Sequence, residues 1–458
     1  MDVNIRLKAF NEKVFKAYDI RGLYPEELDL NTIEIFVEGA AQYFKSFGGK
    51  KCLVGEDVRW SSSEISNVVI NKLRERGIDV VNIGAATTPL FAYSLYLSGM
   101  PAGIMITASH NSVRYNGFKV YKGVQPLNEK NGYPEIKEII KKGITDYSGP
   151  KGSLEEKNFL KDYISFLLER VNLPKDIKAV FDAGGGAVGP ILSELLKSVE
   201  KIHDINLNLE PDPSMVVREP NPLLPEAQVN ARKAVLENKA EVGFIFDPDG
   251  DRIIVLDELG NVIRGDAVLW LLAKKFVQPG ESVVYDVRAS RVLVEDLAKD
   301  GIKCHKSRVG HSFFKELMRQ EDSALGGELS GHFYFKEFFF SESSILAALK
   351  VLHIISSSKA KLSELLKPYF IYTHSGEKNF AIKDREGLMS ALEEKYADAE
   401  RDYFDGITFR YKNWWFNARF SNTENVLRLV LEANDEKTFH EKEEELFTLF
   451  ASRGIEPA

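Results

Sequence analysis

Val242-Gly243-Phe244-Ile245-Phe246 runs directly into Asp247-Pro248-Asp249-Gly250-Asp251-Arg252, and Ile253-Ile254-Val255-Leu256 follows. Two apolar runs rich in β-branched and aromatic residues, separated by turn-forming residues, read as strand, loop, strand. Three carboxylates alternating within five residues repel one another, so the arrangement is costly without a cation. Oxygen donors with no neighbouring Cys or His point to Mg²⁺ rather than Zn²⁺. Mg²⁺ keeps open coordination positions that phosphate oxygens commonly fill, so the loop predicts phosphoryl chemistry. A charged surface turn accounts for Pro248 and Gly250 but not for the alternating acids. A calcium loop would use Asp247, Asp249, Asp251 and Glu258, but Arg252 stands where that loop needs glycine, and the flanks are strands, not helices.

Working outward, the same kind of unit recurs. Lys51 to Gly55, a helix over Ser63 to Glu75, and Asp79 to Ile83 form one strand–helix–strand copy. Ile177 to Asp182, a helix near Pro190 to Val199, and Ile205 to Leu209 form a second. Ser282 to Asp286, a helix near Ser290 to Lys299, and Ile302 to Lys306 form a third. Each is a βαβ unit, and spacings above a hundred residues mean repeated domains rather than a solenoid. The last ninety or so residues mix strands (Glu377 to Ile382, Gly406 to Tyr411, Val426 to Leu431) with helices from Asp384 and from Asp435 to Ser452, and so read as a separate α+β domain. Linkers are expected near Ser148 to Gly152 and Leu366 to Pro368. The expected domains are 1–152, 153–255, 256–368 and 369–458.

The chain has 458 residues, 44% hydrophobic and 28% charged, which is ordinary globular composition with ample core. A formal net charge of −8 argues against nucleic acid as the main partner. No apolar run reaches membrane-spanning length and Met1 to Phe10 lacks a signal core, so a cytoplasmic protein without a membrane partner is expected. Cys52 and Cys304 lie far apart in apolar, strand-like stretches and read as buried free thiols of a reducing compartment.

Further motifs sit at expected strand exits. Thr107-Ala108-Ser109-His110-Asn111 follows the strand Ala102 to Ile106 and offers Ser109 as a nucleophile, without the glycines of a hydrolase elbow. His110 would point away from Ser109 in an extended segment. Lys119, in Asn116-Gly117-Phe118-Lys119, can neutralise phosphate charge, and Arg21 is a possible further cation. Gly327-Glu328-Leu329-Ser330-Gly331-His332 sets a carboxylate and a hydroxyl two apart, able to read adjacent sugar hydroxyls. His311 precedes it. Arg419-Phe420-Ser421-Asn422-Thr423, with Arg428 following, reads as a phosphate clamp. A competing signal is Gly184-Gly185-Gly186-Ala187-Val188-Gly189, which satisfies the dinucleotide fingerprint, with Glu210 downstream. An NAD-dependent oxidoreductase is the alternative it carries. Asp182 would then lie against the pyrophosphate, and a tight turn packing a helix on its sheet is the simpler reading.

Taken in order and with domain-sized gaps, the Ser109, Asp247–Asp251, Glu328–Ser330 and Arg419–Thr423 loops resemble those of the α-D-phosphohexomutase superfamily, in its phosphomannomutase/phosphoglucomutase branch. The resemblance spans essentially the whole chain. It implies three related α/β domains with mixed sheets plus a C-terminal α+β domain around a central cleft. It further implies a phosphoserine at Ser109, Mg²⁺ held by Asp247, Asp249 and Asp251 with the Ser109 oxygen, and Lys119, Arg21 and His332 as catalytic groups. Tyr18, Arg252, Arg288, His311, Glu328, Ser330, His332, Arg419, Ser421, Asn422, Thr423 and Arg428 are the implied substrate contacts. Departures are Asn425 in place of a frequent proline, Arg288 in place of a frequent lysine, and Pro248 in the aspartate loop.

The implied activity moves a phosphoryl group between C1 and C6 of a mannose or glucose phosphate through a hexose 1,6-bisphosphate. Phosphoglucosamine mutase is the near alternative. A non-enzymatic phosphosugar-binding protein and a phosphatase are the more distant ones. Hexose phosphates are the expected partners, on a monomer or dimer.

Overall fold

The computed structural model describes residues 10–421 and 426–457. They fall into two compact units, one of residues up to Ile263 together with Gly331–Leu362, the other of Arg264–Ser330 together with the residues from Ser363 onward.

In the first unit, β1 (Ile20–Leu23), β2 (Lys51–Glu56), β3 (Asp79–Ala85), β4 (Ala102–Ile106), β5 (Tyr115–Lys122), β6 (Gln125–Pro126) and β7 (Leu154–Glu156) make a mixed sheet. Its order is β1-β5-β4-β2-β3-β7, with β6 beside β5. β2 is parallel to β3 and β4, while β5 runs antiparallel to β4 and β1. The helix Ser62–Glu75 is the crossover from β2 to β3, as its buried stripe Ile65, Val69, Ile70 and Leu73 requires. β4 is buried at all five positions, which is why it reads as a continuous apolar run. Phe36 from the helix Leu30–Ser46 stacks on Phe118 of β5 at 5.3 Å, and both are fully buried. Each such side chain contributes about 1.5–3 kcal/mol by leaving water.

The second sheet of this unit holds β8 (Ile177–Asp182), β9 (Ile202–Leu207), β10 (Val242–Phe246), β11 (Ile253–Leu256) and β12 (Val262–Ile263) in the order β12-β11-β10-β8-β9. β8 is parallel to β9 and β10, and β10 and β11 form the antiparallel pair around the aspartate loop, Phe246 opposite Ile253. A short hairpin, Phe333–Phe335 with Ser341–Glu342, and the helix Ser344–Ser356 complete the unit, and the helix packs on β8, β10 and β11.

The second unit contains β13 (Ser282–Asp286), β14 (Lys303–Ser307) and β15 (Leu325–Gly327), with β13 parallel to both others. It also contains an antiparallel sheet in the order Glu400–Asp402, Ile407–Arg410, Trp414–Phe420, Val426–Ala433, Lys378–Ala381, Glu456–Pro457, with Thr373–His374 also pairing Val426–Ala433. Helix Glu436–Ala451 buries Phe439, Leu446 and Phe450 in that sheet's core.

Several expected boundaries shift. An end at 152 omits β7, which pairs with β3 through Val80 and Leu154. A break at 255 falls inside β11, whose partner β12 carries the sheet on to Ile263. Within the range 256–368, the apolar helix Ser344–Ser356 buries Leu346, Leu349 and Leu352 in the first compact unit. Trp414–Phe420 is a further strand that the sequence pattern did not mark: six of its seven residues are buried, Asn417 and Arg419 among them, so burial does not alternate along it. Cys52 is fully buried, whereas Cys304 is only partly so. No described helix is long and apolar enough to cross a membrane.

Candidate active site

Asp247, Asp249 and Asp251 are all buried, and one oxygen from each lies within 4.8 Å of the others. The loop is fixed mostly through its backbone. Asp247 Oδ1 accepts the Asp251 and Arg252 amides, both at 3.1 Å, and Ser344 Oγ donates to the Gly250 carbonyl at 2.6 Å. The Thr88 amide donates to the Asp249 carbonyl at 2.8 Å, and the Thr88 hydroxyl to Asp249 Oδ2 at 2.7 Å.

Lys119 enters this cluster from β5, its Nζ 2.7 Å from Asp249 Oδ2 and 2.5 Å from Asp251 Oδ2. Arg21 stands opposite Gly117 in the β1–β5 ladder, two residues from Lys119, so both cations project from the same face. Burial opposes the Lys119 charge, but Asp249 and Asp251 more than offset it and hold its pKa well above the ordinary lysine value. Asp251 is driven well below the carboxylate range despite burial, by Lys119 and His332. Asp247 goes the opposite way, raised by burial and by its two acidic neighbours. One carboxyl of the trio therefore holds its proton more tightly when no further cation is present.

Ser109 meets this cluster: its Oγ donates to Asp247 Oδ2 at 3.1 Å. The expectation for His110 fails. Ser109 has φ +50°, so the segment is not extended, and His110 Nδ1 lies 3.4 Å from Ser109 Oγ. Burial, then Arg252 and Arg21, push the His110 imidazole well below its usual pKa, so it stands beside the serine uncharged. Arg21 donates to Asn111 Oδ1 at 2.6 Å and to Asp19 Oδ2 at 2.5 Å. His332 Nε2 lies 3.2 Å from both Asp251 Oδ1 and Arg252 Nε. Tyr18 is half-buried close to Arg21, whose charge it feels.

Residues absent from the sequence reading complete the serine loop. Arg59, fully buried, donates to the carbonyls of Ser109 (2.6 Å), Asn111 (2.6 Å), Ser112 (2.7 Å) and Tyr115 (3.1 Å). Asp57 orients it through Nε at 3.1 Å. The only local hint is an acid and a base two apart after a buried strand.

The remaining candidates gather in the second unit. Arg288 Nη1 and Arg419 Nη2 reach Glu377 Oε2 at 2.9 and 3.0 Å, and Arg428 Nη1 reaches Oε1 at 3.4 Å. The three arginines outweigh the effect of burial and hold the Glu377 carboxyl at about 2. Glu377 was not expected here, because nothing local marks a lone acid as the partner of three arginines. Glu328 is buried, 3.8 Å from Arg288 Nη2, and accepts the Gly310 amide at 3.3 Å. Ser330 is half-buried beyond it, His311 is buried at the start of the helix His311–Gln320, and Ser421 is buried after Trp414–Phe420. Asn422 and Thr423 lie outside the described residues, as does Asn425.

Comparison with known proteins places the chain. The domains of the phosphoglucomutase/phosphomannomutase family match in order: alpha/beta/alpha domain I over residues 12–146, II over 161–260, III over 264–371 and the C-terminal domain over 377–449. A phosphomannomutase of Methanocaldococcus jannaschii is 40% identical over 96% of this chain and 97% of its own. The chain belongs to the phosphoglucomutase/phosphomannomutase family. A phosphomannomutase of Vibrio cholerae is 34% identical over 96% of this chain and 99% of its own. A solved phosphoglucomutase/phosphomannomutase family protein from Burkholderia thailandensis superposes with a TM-score of 0.87 at 27% identity, covering 97% of this chain and 98% of its own.

In this phosphohexomutase the glycine run is a packing device. Gly184 N donates to Asp182 Oδ1 at 2.9 Å, the Ala187 amide donates to the Pro248 carbonyl at 2.8 Å, and a Cβ on Gly186 would lie 2.5 Å from that carbonyl oxygen. The chain's own aspartate loop fills the space that a dinucleotide pyrophosphate would need. That loop fits a hard divalent cation: it offers three carboxylates, and Asp249 Oδ1 is buried with no hydrogen-bond donor.

Proposed function

We propose that this isomerase interconverts the 1- and 6-phosphates of mannose or glucose through a phosphorylated Ser109. The observation that carries the reading is the Ser109 hydroxyl hydrogen-bonded into a buried trio of carboxylates that already attracts a lysine. Asp247, Asp249 and Asp251, with the Ser109 oxygen, would hold Mg²⁺, which when bound neutralises charge on the transferring phosphoryl group.

The steps balance without any outside reactant. A hydroxyl of the hexose monophosphate forms an O–P bond as the Ser109 O–P bond breaks, giving the hexose 1,6-bisphosphate. The hydroxyl proton passes to a base, and the serine oxygen is left as the nucleophile for the return step. After the sugar turns end for end, Ser109 Oγ forms an O–P bond with the other phosphoryl group as that sugar O–P bond breaks, the base returns its proton to the freed sugar oxygen, and the isomeric monophosphate leaves. Lys119 stays protonated beside the transferring group and stabilises its charge, while His332 and His110 are the imidazoles within reach of the cluster. Arg288, Arg419, Arg428 and Ser421 provide cations and a hydroxyl for the phosphate that is not reacting, and Glu328 and Ser330 take the sugar hydroxyls. Such a reaction fits a cytoplasmic enzyme supplied with hexose phosphates.

Intact mass of the purified protein should show one added phosphoryl group, lost in Ser109→Ala. That variant should not convert mannose 1-phosphate or glucose 1-phosphate to the 6-phosphates. Undiminished conversion by Ser109→Ala would refute the phosphoserine route. Faster release of inorganic phosphate than isomerisation would favour a phosphatase.

A further inference from the structure

In each of the three repeated βαβ units, the first strand ends at an aspartate held to an arginine. Asp57 follows β2, Asp182 ends β8 and Asp286 ends β13. Every one of these carboxylates accepts the backbone N–H two residues on: Arg59 N at 3.0 Å, Gly184 N at 2.9 Å and Arg288 N at 2.8 Å. Each also faces a buried guanidinium: Arg59 Nε at 3.1 Å, Arg218 Nε at 3.3 Å and Arg288 Nη2 at 2.7 Å.

In all three sheets that strand lies parallel and next to the strand whose exit loop carries a candidate site residue. Glu56 pairs with Ile106 ahead of Ser109, Asp182 with Ile245 ahead of Asp247, and Tyr285 with Gly327 ahead of Glu328. The guanidinium then reaches that loop. Arg59 takes four carbonyls of residues 109–115, Arg218 takes the Phe246 carbonyl at 2.5 Å immediately before Asp247, and Arg288 approaches Glu328.

The second repeat is the informative one. Its residue two after the aspartate is glycine, and the arginine arrives instead from position 218. A Cβ on Gly184 would overlap the Arg218 guanidinium, so the missing side chain makes room for it. The pairing survives although the arginine has changed its place in the chain. Local turn chemistry alone would not require that.

We propose that Arg59 and Arg218 are positioning residues, the first setting the Ser109 loop and the second the aspartate loop; the proposal deepens the mutase reading and rests on it. Arg288 is the third member and also holds Glu377. A planar guanidinium fork fixes several carbonyls at once, which the compact ammonium of lysine cannot reproduce. Ser109, with its φ of +50°, is a residue that needs such external bracing.

The test uses Arg59→Lys and Arg218→Lys in the full chain. It measures kcat and KM for mannose 1-phosphate, Mn²⁺ binding to chelator-treated protein by calorimetry, and the melting temperature. Arg59→Lys should lower kcat about 10–100-fold, with KM and Mn²⁺ affinity within roughly twofold of the parent. Arg218→Lys should weaken Mn²⁺ binding about 10-fold or more. Wild-type values for either variant in its own readout, or identical losses in all readouts that merely follow the melting temperature, overturn the proposal. Where a lysine variant does not fold, Asp57→Asn or Asp182→Asn, which loosens the arginine but keeps it, is judged by the same readouts. A parent protein that binds Mn²⁺ but does not isomerise hexose phosphates refutes the mutase reading instead, and the Arg218 arm still stands.

Discussion

Lys119→Met deletes one charge while keeping most of the apolar stem, and the structure says how much that charge matters. Nζ sits 2.7 and 2.5 Å from carboxylate oxygens of Asp249 and Asp251 and 3.1 Å from Thr88 Oγ1, on a side chain 3% exposed. Removing one partner of a buried ion pair costs about 3–5 kcal/mol, chiefly because the remaining charge stays buried and uncompensated. Here two carboxylates lose that partner, with Asp247 close by, so the upper part of that range applies at neutral pH in chelator. Mg²⁺ would return positive charge to the same place, and saturating Mg²⁺ should reduce the loss to less than about 2 kcal/mol.

The pH dependence has a definite sign. Lys119 has a raised pKa, so its contribution is complete below the ordinary lysine value and is lost as pH rises through the folded one. Asp251 has a depressed pKa, so its contribution is complete above the ordinary aspartate value and is lost as pH falls through the folded one. The difference between variant and parent should therefore be largest between about pH 5 and 10 and shrink outside that window. Urea denaturation of both proteins, with chelator and with Mg²⁺, measures it. An equal loss in the two conditions, or one below about 1 kcal/mol in chelator, would show that the lysine and a metal do not share this site.

Glu377→Gln should destabilise the second unit at neutral pH. A carboxyl held at about 2 instead of 4.5 contributes roughly 3 kcal/mol, present above pH 4.5 and lost as pH falls toward 2, so acid titrations of variant and parent should converge there. A flat difference across that range would contradict the arginine pairing. Gly186→Ala drives a methyl into the Pro248 carbonyl at 2.5 Å, which backbone on both sides cannot easily relieve. Its expected cost is about 1–3 kcal/mol together with weaker Mn²⁺ binding, both absent if the aspartate loop simply moves aside.

The acidic cluster is legible in sequence because its residues are contiguous. Asp247, Asp249 and Asp251 lie within five residues, so their mutual repulsion and their need for a cation are visible without any fold. The βαβ repeats are legible because an amphipathic helix between apolar strands repeats the same pattern at domain spacing. What escapes is pairing over distance. Arg59 meets Ser109 across fifty positions, Arg218 meets Phe246 across twenty-eight, and Glu377 meets Arg288 across eighty-nine. His110 is misread for a different reason, since the alternation rule holds only in extended backbone and Ser109 leaves it.

By itself, then, the order of residues determined the chemistry on offer: a hydroxyl and a trio of acids after apolar strands, and several cations within or beside other strands. Which of these touch was decided only by the tertiary structure. Strand neighbours in a parallel sheet are separated by a whole helical crossover, so their exits converge in space while remaining far apart along the chain. Burial then does the rest, because removing water makes Lys119 an obligatory partner of Asp249 and Asp251 and raises the pKa of Asp247 beside Ser109.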